Sequence, residues 1–177
     1  IIVSDALKTI FFNADIFINH DLLGASRAVL GNNSGIACIL GTGANSCIWD
    51  GDNVIENIPS HGYIFGDEGS GSYLGKELLK LYLNDNMDSE MKASFDNEFN
   101  ISETEILNAT YKEPNPNVFL ASFAKFYSLF PNSKELTNIV RFGFNDFFHK
   151  RVLKYTNYIM YDLGFVGSIA FHFQDDL

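Results

Sequence analysis

Two glycine-rich stretches, one Gly-Ser turn and a few isolated acids are the parts of this sequence whose types and spacing suit chemistry. Gly41-Thr42-Gly43-Ala44-Asn45-Ser46 lies between two apolar runs, so it reads as a tight turn joining two strands. Glycines let a ligand approach the backbone closely, and the N–H groups of such a turn, with the Thr42 and Ser46 hydroxyls, can hold a phosphate. A plain hairpin turn uses the same residues, and the stretch alone does not choose between the two. A dinucleotide fingerprint is excluded, because Ser46 stands where the third glycine belongs and a strand follows instead of a helix. A Walker A loop is excluded as well, since no Gly-Lys-Ser or Gly-Lys-Thr occurs.

Gly66-Asp67-Glu68-Gly69-Ser70-Gly71 stands just before Leu74, Leu78, Leu81 and Tyr82, which recur at the spacing of one helix face. Asp67 and Glu68 therefore sit at a helix start, where acids either favour the helix dipole or face a ligand. His61 belongs to the loop before them. Asp21 follows a short apolar run and precedes a helical one, the place of a helix-capping acid. Gly167-Ser168 falls where a strand turns into a helix over residues 169–173.

The elements that must position these residues follow from the apolar pattern. Asp15 to Asn19 reads as a buried strand and Leu22 to Leu30 as a short helix closed by Gly31-Asn32-Asn33-Ser34-Gly35. Ile36 to Leu40, Ser46 to Trp49 and Val54 to Ile58 read as a three-stranded meander ending at Pro59. Ser102 and Glu105 form a capping-box pattern, and further helices are expected over residues 116–130 and 133–155, the latter with Val140, Phe144, Phe147 and Phe148 as its stripe.

Composition narrows the function classes. A net charge of −10 without a basic patch argues against wrapping nucleic acid. Cys38 and Cys47 lie in apolar runs without metal-ligand spacing, and His20, His61, His149 and His172 are scattered, so no metal site is expected. Seventeen phenylalanines supply ample area for a core. No apolar run approaches the roughly 18 residues of a membrane span and no signal peptide is visible, which gives a cytoplasmic expectation with no membrane partner. The chain starts at Ile1 without Met and ends in amphipathic sequence, so it reads as an excised piece.

Asp21, the GTGANS turn, the GDEGSG helix start and Gly167-Ser168, in this order, resemble the N-acetylglucosamine kinases and the related BadF/BadG/BcrA/BcrD type ATPases of the actin-like superfamily. The resemblance implies an α/β, ribonuclease H-like actin-ATPase fold. Residues 1–34 would be the last strand and helix of a first domain, and residues 35–177 the C-terminal domain, with helical additions over residues 85–155. It implies an ATP-dependent kinase acting on the primary hydroxyl of an amino sugar, N-acetylglucosamine, with ATP and Mg²⁺. Asp21 would be the catalytic base. Gly41, Thr42, Gly43, Asn45 and Ser46 would hold phosphate, Gly167 and Ser168 adenosine, and Asp67, Glu68 and His61 the sugar, with no side chain of this chain ligating the metal. A homodimer is compatible with this reading.

Two departures from the family pattern stand out. The family's first phosphate-binding hairpin is not in this sequence, so turnover by this chain alone is not expected. Ile58-Pro59-Ser60-His61-Gly62 replaces a Gly-Gly-Trp-Gly-His type segment beside the sugar. Competing readings are an ATPase that activates a CoA-ester dehydratase or reductase, which calls for exposed cysteine ligands to an iron–sulfur cluster, and a sugar sensor without catalysis.

Overall fold

Glycine at the turns and unbroken apolar runs between them make the centre of the fold a sheet. The computed structural model describes residues 2–177. Strands β1 (Gly35–Leu40), β2 (Ala44–Trp49) and β3 (Val54–Asn57) form the expected antiparallel meander, and β4 (Asp162–Val166) adds parallel to β1, giving the order β3-β2-β1-β4. The register pairs Leu40 with Ala44 across the turn and Ile39 with Val166 across the parallel pair.

Side chains alternate between two cores, as the two-residue period of a strand requires. Ile36, Cys38 and Leu40 of β1, with Ala44 and Ile48 of β2, face the larger core, whereas Ala37, Cys47 and Trp49 face a smaller one. Both thiols are fully buried, and burial is the main cause that pushes each above its ordinary pKa.

The smaller core is closed by helix α2 (Asp21–Leu30), which buries Leu22, Ala25, Ser26 and Leu30. Trp49 Nε1 donates to Gly31 O at 2.9 Å, and Ser26 Oγ lies 3.3 Å from Cys47 Sγ, tying helix to sheet.

The larger core is covered by helices α4 (Gly71–Leu83), α5 (Ser89–Phe99), α6 (Glu103–Tyr111), α7 (Pro116–Ala121), α8 (Lys134–Lys150) and α9 (Ser168–His172), after a single turn of helix, α3 (Gly62–Phe65). Their starts are local: Ser70 accepts from Tyr73 N, and Ser102 with Glu105 completes the capping box. Phe95 stands at the centre of the helical layer, with ring centroids of Phe99, Phe123 and Phe126 4.7, 5.9 and 5.6 Å away. Each buried ring contributes about 2–3 kcal/mol by leaving water.

Four expectations change. Asp15 to Asn19 is not a strand: no neighbour among the described residues offers it a ladder, and Phe17 is 90% exposed. A helix not expected from the sequence, α1 (Ile2–Ile10), precedes it with no residue buried. The helix over 116–130 tightens to 3-10 winding from Ser122 to Leu129, where three-residue repeats eclipse and bring Phe123 and Phe126 to one side. The helix expected to reach 155 ends at Lys150, because Arg151 leaves helical geometry at φ −123°, ψ −75°.

Candidate active site

The topology delivers most of the chemically interesting residues to one end of the sheet. Strands β1 and β4 run parallel, so the turn at residues 41–43 and the turn at Gly167 leave from the same edge. Helix α2 precedes β1, and the short turn at residues 31–34 folds the two back along each other, so the first residue of the helix, Asp21, lies toward the same end of the sheet. Carboxyl ends of parallel strands are the usual place for ligands in α/β sheets.

The GTGANS turn is held from beneath by helix α4. Gly71 and Ser72 in its first turn donate to Gly41 O at 2.7 Å and Thr42 O at 3.0 Å. The orphan donors of the helix start are thus spent on the carbonyls of the turn. Gly41 N–H closes the turn onto Gly43 O at 3.0 Å, while the N–H groups of Thr42 and Gly43 have no acceptor among the described residues. Thr42 is exposed. A turn whose carbonyls are tied down and whose next amides are free suits an anion.

Asp67 sits directly against this turn. It adopts a left-handed backbone, φ 53°, and its Oδ1 accepts from Ala44 N at 3.1 Å. A Cβ on Gly43 would lie 3.0 Å from Asp67 Oδ2, so glycine is what allows the carboxylate so near. Gly167, at φ 121°, is required for a second reason: a Cβ there would meet Leu40 O at 2.2 Å. The structure therefore joins Gly41, Thr42, Gly43, Asp67 and Gly167 in one cluster. Ser168 is exposed and borders a groove of about 550 Å³ lined also by Tyr127, Val140, Ile169, His172 and Phe173. That volume lies within the roughly 300–1,000 Å³ of small-molecule sites.

The remaining candidates are placed differently. The Ser46 hydroxyl does not face the turn; it is buried and lies 2.9 Å from Tyr155 Oη. Asn45 Oδ1 accepts from Ser46 N at 3.0 Å and Asn57 Nδ2 at 2.9 Å, which ties β2 to the end of β3. Glu68 is buried and paired with Arg151, Nη2 to Oε2 at 2.9 Å, so its carboxylate is not open to a ligand. His61 is exposed in a left-handed conformation, φ 64°. Asp21 is exposed, and its Oδ1 accepts from Leu22 N at 2.9 Å. After burial itself, its charge is among the influences that raise the Cys47 thiol.

Arg151 and Tyr155 are functional candidates not singled out from the sequence. The signal was present: Val140, Phe144, Phe147 and Arg151 keep one helical spacing, so a cation occupies a position on the buried stripe.

Two solved structures each named Putative N-acetylglucosamine Kinase match the chain. The one from Porphyromonas gingivalis is 38% identical with a TM-score of 0.93 over 99% of this chain. The chain resembles the N-acetylglucosamine kinase-like family. It spans 62% of the length of that relative. The second, from Chromobacterium violaceum, is 19% identical with a TM-score of 0.72, covers 97% of this chain and 62% of its own, and supports the fold alone. No family model and no curated protein matches. In this N-acetylglucosamine kinase-like chain the cluster of Gly41, Thr42, Gly43, Asp67 and Gly167 is thus the place to look for chemistry.

Proposed function

We propose that the complete protein is an ATP-dependent kinase that phosphorylates N-acetylglucosamine at its primary hydroxyl. The observation that carries this reading is the convergence of a phosphate-type turn with free amides, a buried-side carboxylate and the Gly167-Ser168 turn at one sheet edge, in a chain 38% identical to a protein named as such a kinase. The antiparallel meander with a parallel fourth strand supports a ribonuclease H-like, actin-ATPase fold.

In this mechanism the Thr42 and Gly43 N–H groups bind the nucleotide phosphates and Ser168 borders the adenosine groove. Asp67 accepts a hydrogen bond from the sugar, and Asp21 accepts the proton of the attacking hydroxyl, beside the positioning and charge neutralisation that phosphoryl transfer mainly demands. Mg²⁺ accompanies ATP and supplies charge neutralisation. No group of three or more His, Cys, Asp or Glu among the described residues suits a metal ion, so no step is assigned to direct ligation here. Among the described residues no helix is long and apolar enough to cross a membrane. A cytoplasmic site of action and a homodimer belong to the same proposal.

An ATP-consumption screen of the complete protein against hexoses and N-acetylhexosamines tests the reading. Consumption that depends on N-acetylglucosamine is expected; a preference for an unmodified hexose, or none for any sugar, overturns it.

The contact between Gly43 and Asp67 gives a second expected result. Gly43→Val weakens both nucleotide and sugar binding by about tenfold or more, because the side chain blocks phosphate and also displaces the carboxylate 3.0 Å away. From the turn alone the loss would fall on nucleotide only. Isothermal titration with each ligand, with circular dichroism to confirm folding, separates the two.

A further inference from the structure

The segment linking β3 to α3, residues 58–61, has almost no regular structure of its own, yet it is held by two side chains that follow helix α8. Arg151 Nη2 donates to Ser60 O at 2.7 Å and to Glu68 Oε2 at 2.9 Å, both from a position 5% exposed. Tyr155 Oη accepts from Ile58 N at 3.2 Å and lies 2.9 Å from Ser46 Oγ. The guanidinium fits because residue 66 is glycine: a Cβ there would fall 1.5 Å from Ser60 O and 2.8 Å from Arg151 Nη2.

We propose that Arg151 is a positioning residue for the acceptor side of the site, fixing residues 58–61 against the loop that carries Asp67 so that the sugar meets a preformed surface. The proposal rests on the kinase reading above. Three features favour a positioning role over a plain ion pair. Lys150 also approaches Glu68, at 3.5 Å, but is drawn more closely to Asp146 at 2.7 Å, so Glu68 depends on Arg151. Arg151 bonds two different segments, where one would satisfy its charge. One of those segments ends at His61 and the other carries Asp67, the carboxylate proposed to meet the sugar, so a shift of either acts first on acceptor groups. Tyr155 holds the other end of the same segment and links it to the hairpin through Ser46.

The test is made in the complete protein with Arg151→Lys, which keeps the charge but ends its nitrogen short of the Nη2 position that makes both contacts. The sugar KM is expected to rise about tenfold while the ATP KM stays within about twofold, since the contacts of Arg151 lie on the acceptor side. Arg151→Met leaves Glu68 buried without its partner and can fail to fold. The double variant Arg151→Met/Glu68→Gln removes both charges and is expected to fold with the same selective rise in sugar KM. A lowered melting temperature with both KM values unchanged, in either folded variant, overturns the proposal and leaves Arg151 as a structural ion pair. Hydrogen exchange reads the clasp without any substrate: amides of residues 58–66 exchange faster in Arg151→Lys if it holds them, and unchanged exchange overturns it. A wild-type protein that phosphorylates no sugar overturns the kinase reading and the acceptor role with it, whereas the exchange result still decides whether Arg151 fixes the segment.

Discussion

Asp21→Asn is expected to lower turnover in the complete protein by at least about a hundredfold, the scale of losing a general base, while sugar binding stays close to wild type. The Asp21 Oδ1 accepts from Leu22 N at 2.9 Å, and an asparagine carbonyl can accept the same bond, so the start of α2 survives the change. What is lost is the second oxygen, which has no partner among the described residues, and with it the capacity to take a proton at neutral pH. The charge also favours the helix dipole, but that is worth only about 0.3–1 kcal/mol, against about 2.7 kcal/mol for a hundredfold effect on rate. Turnover within a few-fold of wild type would leave Asp21 as a helix-start residue alone.

A pair of identical substitutions is expected to shift stability in opposite directions. Both Gly24 and Gly75 lie inside helices, α2 and α4, where alanine is intrinsically favoured by up to about 1 kcal/mol. A Cβ on Gly24 meets nothing within 4 Å, so Gly24→Ala stabilises by about 0.5–1 kcal/mol. A Cβ on Gly75 would lie 1.7 Å from Leu120 O in α7, a backbone atom that cannot turn aside. Overpacking against a backbone atom costs about 3 kcal/mol, the upper end of its usual range, and exceeds the propensity gain, so Gly75→Ala destabilises by about 2 kcal/mol. Urea midpoints at constant slope measure both; a Gly75→Ala protein as stable as wild type would mean that α4 and α7 are not in contact as described.

What was legible in the sequence was local. The GTGANS hairpin, the Ser70 and Ser102 helix starts and the strand-to-helix turn at Gly167 depend on residues within a few positions of one another. What no local pattern shows depends on partners distant in the chain. Asp15 to Asn19 has the composition of a strand, but a strand exists only beside another, and none lies there among the described residues. Ser46 was read as facing phosphate because of its place in the motif. The two-residue period of β2 puts it with Ala44 and Ile48 on the buried face, and that signal outranks the motif. The partner of Glu68, Arg151, lies 83 positions away, beyond the reach of any local pattern.

The tie between Trp49 and Gly31 gives the protein a built-in optical gauge. Trp49 is the single tryptophan, 1% exposed, with its indole N–H committed to the end of α2. Its fluorescence therefore reports one seam, between α2 and the sheet, and is blind to the phenylalanine-rich layer on the opposite face. Red-shifted emission marks water entering beneath α2, whereas loss of helical ellipticity is weighted toward the larger layer. The two signals, followed together through a denaturant titration, divide the molecule along the plane of its sheet and show whether the faces come apart as one unit.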